Sequence, residues 1–272
     1  MILTLSVETA SAVTIGQVAP SPFNECSGVV VADFVQPTVN SGAPYVVPAS
    51  GGIASWTLTS WSTNATSQAG QQMSLKIFRK VSDTPSYRVI SHEGPHQLQA
   101  GLNRFARSLL LRPGDLLGSH FDGQAGACTF FATGEAYDYG PGDLSDGAVG
   151  DFFRDSTHDQ RVNISAEITP TSEFTLGKLK SKANGTAKLA VNVPNPGVLT
   201  VSGGGAKASS PEAVAAKQVP SAGTVKLTIK AKGAKKRRLS RNGKVAVNPR
   251  ITFTPIGGSP MSEFRKIKLH RG

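Results

Sequence analysis

The sequence predicts an all-β protein, a jelly-roll-like antiparallel sandwich followed by a smaller Ig-like β-sandwich. Three observations carry that expectation. First, 29 glycines and 17 prolines in 272 residues cut the chain into short pieces, which suits many strands better than long helices. Second, apolar residues recur at alternate positions. Met73, Leu75 and Ile77 alternate with Ser74 and Lys76, and Val162, Ile164 and Ile168 with Asn163, Ser165 and Glu167, the period of half-buried antiparallel strands. Third, the charge divides. Residues 1–171 hold nine Lys/Arg against fifteen Asp/Glu, a net of −6, whereas 172–272 hold twenty against three, a net of +17 within the overall +11. That partition reads as one acidic and one basic domain.

Taken in order, residues 1–12 end in Ala10-Ser11-Ala12, which resembles a signal-peptidase site. The apolar part before it is short and carries no basic residue, so the segment reads as the remnant of a truncated signal peptide. From residue 29 strands are expected over 29–35, 45–47, 53–61, 72–79, 87–91, 105–111, 115–121, 128–132 and 162–168, making an acidic sandwich of 13–170. Pro113-Gly114 supplies a turn between two leucine runs, 109–111 and 116–117, which are expected to pair across it. Trp56 and Trp61 differ by an odd number and face opposite sides of a regular strand. Either a bulge brings both into the core, or one is core and the other is packed by a loop or left exposed for a ligand. Residues 137–161 carry no periodicity and read as a long loop, the kind that is usually functional.

A seam at 169–172 precedes the basic domain, 173–272. Its inward positions are Ala187, Leu189, Val191 and Val193, then Val225, Leu227 and Ile229, then Val245, Val247, Ile251 and Phe253, closed by Ile267 and Leu269. Thr186, Lys188 and Asn192 are expected to face outward. Ser210-Pro211-Glu212 offers a helix start, with a seventh strand as the equal alternative.

Residues 185–189, 196–203, 222–227 and 243–245, with the Thr254-Pro255-Ile256-Gly257-Gly258 turn, resemble a Lys-rich, Ig-like module. That module closes secreted and cell-surface proteins of high-GC Gram-positive bacteria. The resemblance departs at 208–217, which is longer and richer in alanine. Residues 13–17 and 44–48, Ser60-Trp61-Ser62, Pro113-Gly114-Asp115 and Gly142-Asp143-Leu144 are similar to β-sandwich domains that accompany the module. The resemblance implies a secreted or cell-surface location and nothing about chemistry.

Familiar catalytic patterns are absent. There is no Gly-x-Ser-x-Gly, no His-Glu-x-x-His and no Gly-rich phosphate loop between a strand and a helix. His92 and His96 flank Pro95, which forbids the helix that would align them on a metal. Cys26 and Cys128 lack metal spacing and read as a disulfide closing a loop of about 100 residues, against the alternative of two buried thiols. No run reaches the roughly 20 apolar residues of a membrane span, and a soluble mature protein is expected.

Two stretches carry the functional expectations. Asp138, Asp143, Asp146, Asp151, Asp155 and Asp159 crowd the 137–159 loop among Tyr139, Phe152 and Phe153. With Trp61 they form the candidate ligand edge; no cofactor is expected, with calcium, which takes six to eight oxygens, as the alternative such a loop can wrap, although the spacing is not that of an EF-hand. The plainer role for these aspartates is solvated turns and Asx caps. Lys235, Lys236, Arg237, Arg238, Arg241 and Lys244 form a basic run ending in Asn242-Gly243, read as a hairpin tip. Either the tip is merely solvated or it contacts an anionic cell-wall polymer; few aromatics accompany it, against specific nucleic-acid binding. The expected protein is an extracellular binding or adhesion protein without catalytic activity, with an extracellular carbohydrate-active enzyme or carbohydrate-binding protein using the Asp-rich loop as the alternative.

Overall fold

The computed structural model describes residues 12–20, 29–66, 71–124, 128–208 and 216–272. The chain is all-β, with antiparallel sheets throughout, and divides into two compact units. One comprises Ala12–Ala49 with Trp56–Thr169; the other comprises Ser50–Ser55 with Pro170–Gly272.

The first unit contains β1 (Val13–Gln17), β2 (Val29–Val35), β3 (Trp56–Ala65), β4 (Gln72–Lys80), β5 (Ser86–Gln97), β6 (Gly101–Leu111), β7 (Leu116–Gln124), β8 (Thr129–Phe131), β9 (Tyr137–Pro141), β10 (Val149–Asp151), β11 (Phe153–Asp155), β12 (Gln160–Val162) and β13 (Ile164–Pro170). A four-stranded sheet runs β1-β13-β3-β6, and a seven-stranded sheet runs β10-β5-β4-β7-β2-β9-β11. Their facing sides bury Ile15, Leu58, Trp61 and Ile164 from one sheet, and Met73, Leu75, Ile77 and Phe121 from the other. The approach is close enough that a Cβ on Gly16 would stand 2.7 Å from Leu117.

The seven-stranded sheet has a second buried face. Its outermost strands, β10 and β11, are separated in sequence by Phe152 alone, yet β10 pairs with β5 and β11 with β9. Two residue steps span at most about 7 Å, so the sheet curls until its edges meet. Tyr87 of β5 and Asp138 of β9 touch across that closure. Inside the curl Val35, Phe78, Tyr87, Val89, Leu116 and Phe152 form a small core, with Val46 and Leu144 packed on it.

Several expectations change here. The 137–161 stretch is not an unstructured loop: it holds β9, β10, β11 and β12, too short and too kinked at Phe152 to show alternation. Lys76 and Ser74 are buried, not outward, because the face they share is the inside of the curl. The Pro113-Gly114 turn forms, with Gly114 at φ +85° and the Asp115 amide donating to the Arg112 carbonyl at 3.0 Å. Its leucine arms do not pair, however: β6 joins β3 while β7 joins β2 and β4, so the turn carries the chain from one sheet to the other. Ile53 precedes β3 rather than belonging to it. Trp56 and Trp61 are both buried; the inward positions of β3 switch from even to odd at Ser60–Trp61, beside a register irregularity between Leu58 and Ser60. Trp61 is therefore core, not an exposed ligand platform.

The second unit contains β14 (Thr175–Lys182), β15 (Thr186–Val193), β16 (Gly197–Ser202), β17 (Ala206–Ala208), β18 (Ala216–Val219), β19 (Gly223–Ala231), α1 (Gly233–Asn242), β20 (Lys244–Val247), β21 (Arg250–Pro255), β22 (Met261–Phe264) and β23 (Ile267–His270). Sheets β14-β15-β19-β17 and β18-β16-β21-β22 enclose a core of Ala187, Leu189, Val191, Leu199, Leu227, Ile229, Ile251 and Phe253. The pair β20–β23 adds Val245, Val247, Ile267 and Leu269. Thr186, expected outward, is nearly buried and donates to Asn184. The Ser210 helix start lies outside the described residues.

The basic run is a helix, not a hairpin tip. Ala, Lys, Arg and Leu are good helix formers, and Leu239 anchors α1 by burying its side chain against Gly185. Asn242-Gly243 is the helix stop: Gly243 adopts the left-handed φ of +64° that ends many helices.

Candidate functional site

The acidic candidates in the first unit resolve into separate ties. Asp143 follows β9 and is exposed, and its Oδ1 accepts from the buried Lys76 Nζ at 2.5 Å. The same ammonium donates to both oxygens of Asp33 at 2.7 and 2.9 Å and to the Leu144 carbonyl at 2.7 Å. Asp33 also lies 2.8 Å from His120 Nδ1 and accepts from the Leu144 amide at 3.1 Å. Asp146, two residues beyond Leu144, pairs with His92 at 2.8 Å. Residues 143–146 thus form a strap, latched to β4 and β5 through ammonium and imidazole and seated by Leu144.

Asp138 is buried and accepts from Arg154 Nε at 2.7 Å and from the Tyr87 hydroxyl. Burial, reinforced by Asp138, pushes the Tyr87 hydroxyl well above its ordinary pKa, and the Asp138 hydrogen bond raises that of Arg154. Asp155 accepts from the Thr157 amide at 3.0 Å and Tyr137 at 3.1 Å, and pairs with His158 at 2.7 Å. Burial alone would raise its pKa, but the hydrogen bonds from Thr157, His158 and Tyr137 outweigh it and pull it down to about 2. Asp143 behaves alike: burial raises its pKa, the Lys76 hydrogen bond and the charges of His120, Lys76 and His92 prevail, and the direction is down. Asp151 lies in β10 opposite Ser86, and Asp159 accepts from the Gly134 amide at 2.9 Å. Trp61 donates to Glu93 at 2.6 Å.

Asp33, His120 and Asp143 bring their ligand atoms within 4.8 Å of one another, an arrangement able to hold a metal ion. Its donor set fits calcium poorly. Calcium takes six to eight oxygens, and the centre of this group already receives the Lys76 ammonium, whose four oxygen contacts do the work of a bound cation. The expected ligands are also split, Asp143 to Lys76 and Asp146 to His92. Asp33 and Lys76 were not anticipated. The signal was a lone aspartate in the otherwise apolar 29–35 strand.

In the second unit, α1 packs on β19 and β20. A groove of about 470 Å³ is lined by Lys235 and Arg238 of α1, Lys244 of β20, and Lys268 and His270 of β23, with Val245, Ala246 and Leu269 among them. Lys244 faces His270, and Ala246 faces Lys268, across the strand pair. Three of the six expected polyanion contacts, Lys235, Arg238 and Lys244, therefore converge; Lys236, Arg237 and Arg241 are exposed on α1 but do not line the groove. Lys268 and His270 join because β23 pairs with β20, a pairing invisible in sequence. No acidic residue lines the groove, and among the described residues every ion pair lies in the first unit.

Fold and site thus define a class: an all-β protein of two compact units, one tied internally by buried charge and one presenting unpaired cations. No family model matches the chain, and no curated protein matches it. Among solved structures it is similar to a Faecalibacterium prausnitzii β-glucuronidase, at 14% identity over 96% of this chain and 45% of that one, with a TM-score of 0.21. The chain spans less than half of that enzyme's length, and a likeness so distant carries nothing about activity.

Proposed function

We propose that this is a secreted or cell-surface binding protein without catalytic activity, whose basic unit holds an anionic polymer of the cell wall. The observation that supports this reading is the α1 groove, where Lys235, Arg238, Lys244 and Lys268 converge with no acidic side chain to neutralise them. The start of the helix carries two electrostatic repulsions. Lys235 and Lys236 lie in its first turns, near the positive end of the helix dipole, and Lys235 stands three residues from Arg238. An anion in the groove relieves both repulsions. The resemblance to a surface-protein module supplies the compartment, and the disulfide between Cys128, which is buried, and Cys26, which lies outside the described residues, belongs to the same reading.

Full-length protein should bind purified cell wall at low salt and leave it as salt rises, since polyanion binding is driven by counterion release. Replacing Lys235, Arg238, Lys244 and Lys268 with serine should weaken retention and flatten its salt dependence. Retention indifferent to both salt and the four substitutions would refute the reading.

A second reading, glycan contact by the first unit, is favoured by one observation. Tyr139 and Phe153 are register partners on β9 and β11, exposed, with ring centroids 5.8 Å apart. A polysaccharide pull-down that is lost on Tyr139→Ala with Phe153→Ala would support it, and one unaffected by the pair would remove it.

A further inference from the structure

The outer faces of the two large sheets in the second unit differ sharply. On the β14-β15-β19-β17 sheet the positions opposite the core hold Lys180, Lys182, Lys188, Lys207, Lys226 and Lys230. Lys180 is the register partner of Lys188, and Lys207 of Lys230; Thr186 separates Lys182 from Lys230. Directly opposed side chains stand about 5 Å apart at Cβ, and like charges so placed are destabilising. On the β18-β16-β21-β22 sheet the equivalent positions hold Thr200, Thr252, Thr254, Ser262 and Gln218. The one cation among those outward positions, Arg250, sits 5.3 Å over the Phe264 ring, and the sheet's other cation, Lys217, lies on edge strand β18 at a core-parity position. Charge serving solubility alone would be spread over both faces and would avoid cross-strand lysine pairs. It is instead concentrated on one face, at a cost in repulsion.

We infer that the lysine face of β14-β15-β19-β17 is a second docking surface, distinct from the α1 groove, for a flexible phosphodiester polymer. The inference rests on the polyanion reading above and deepens it by naming the class of polymer. Every cation on the face is lysine. An ammonium is a point charge on a flexible stem that suits phosphate oxygens in any orientation, whereas the planar arginine fork, absent here, selects bidentate partners. Among the described residues no aromatic ring occupies the face, so it offers no stacking surface for nucleic-acid bases. Alternate lysines along one strand, such as Lys180 and Lys182, stand about 6.6 Å apart, and rows on neighbouring strands about 4.8 Å apart. The result is a grid of point charges that a flexible polyanion can cross in many registers.

The test uses the full chain with three probes: polyglycerol phosphate, hyaluronate of similar charge number, and oligo-dT. The face variant carries Lys180→Ser, Lys188→Ser, Lys207→Ser and Lys230→Ser; the groove variant carries Lys235→Ser, Arg238→Ser, Lys244→Ser and Lys268→Ser. The face variant should lose at least tenfold affinity for polyglycerol phosphate at low salt, and its log affinity against log salt should become shallower by about 3, near 0.7 per charge removed. Its Tm without polymer should equal or exceed that of the parent, because repulsion is removed, and polymer should raise the parent's Tm more than the variant's. A face variant that binds like the parent while the groove variant does not overturns this inference and leaves the groove intact. A parent that binds no polyanion overturns the polyanion reading as well. Hyaluronate or oligo-dT bound as tightly as polyglycerol phosphate overturns the phosphodiester assignment.

Discussion

The two units treat charge in opposite ways. In the first, Lys76, Asp33, His120, Arg161 and Glu135 are buried and paired, and the Lys76–Asp33 pair joins two strands that share no backbone ladder. Lys76 on β4 reaches Asp33 on β2 across the intervening β7, and both hold the 143–146 strap. In the second unit the core cluster is apolar, Thr186 being the one buried polar strand residue among those described, and the cations stand outside it, six lysines of them on one sheet face and four cations in one groove. A net charge says little about what charges are for. The buried charges of the acidic unit tie its own strands and strap together, whereas those of the basic unit meet no acidic partner among the described residues.

The largest expected effect lies at the latch. Lys76→Ala leaves Asp33 buried beside a second carboxylate, and removing one partner of a buried pair costs about 3–5 kcal/mol. Urea unfolding of the first unit should show that loss. The same variant, or Lys76→Met, should acquire binding of a divalent ion such as manganese at Asp33, His120 and Asp143, and calorimetry of the parent with the same ion should show none. A loss below about 1 kcal/mol would mean that the buried pair does not tie the unit together.

Next comes the disulfide. Thiol titration in denaturant should find no free thiol until reductant is added, and reduction should then lower stability by about 2–4 kcal/mol. Two titratable thiols without reductant would remove the pairing of Cys26 with Cys128.

Acid sharpens the contrast. The Asp155 carboxyl sits at about 2 in the folded protein, below its unfolded value near 3.9. Its contribution is therefore complete above the unfolded pKa and is lost as pH falls from about 4 to about 2. Asp155→Asn should cost on the order of 1–2 kcal/mol at pH 7 and progressively less below pH 4. A cost that does not change with pH would assign the effect to packing.

Smaller effects are expected in the second unit. Gly243→Ala places a side chain at φ +64°, with its Cβ 3.2 Å from the Arg271 carbonyl oxygen, and should cost about 1 kcal/mol while loosening the end of α1. Lys188→Ser alone should change stability by no more than about 0.5 kcal/mol, in the stabilising direction at low salt, since it removes a like-charged neighbour of Lys180. A clear destabilisation there would show that the lysine pays its way inside the fold, and would erase the difference between the units.

Much of this protein was determined by its sequence alone. Alternation at 187–193, 225–229 and 245–253 placed the core of the second unit, because a strand facing water on one side must alternate. Glycine and proline marked the all-β class, and the partition of charge between the halves is a matter of composition. What the tertiary structure decided is where alternation has two dry faces. Lys76 and Ser74 obey the half-buried pattern perfectly and are nevertheless inside, because β10 and β11 close the sheet through a single residue, a long-range event no local period encodes. The basic run became a helix because Leu239 finds a place to pack and Gly243 a place to stop, although Asn242-Gly243 fits a hairpin equally well as a dipeptide. Strand order likewise assembled the groove and the lysine face. Which lysines stand opposite one another is set by register, and register is fixed only when both strands have found the same core.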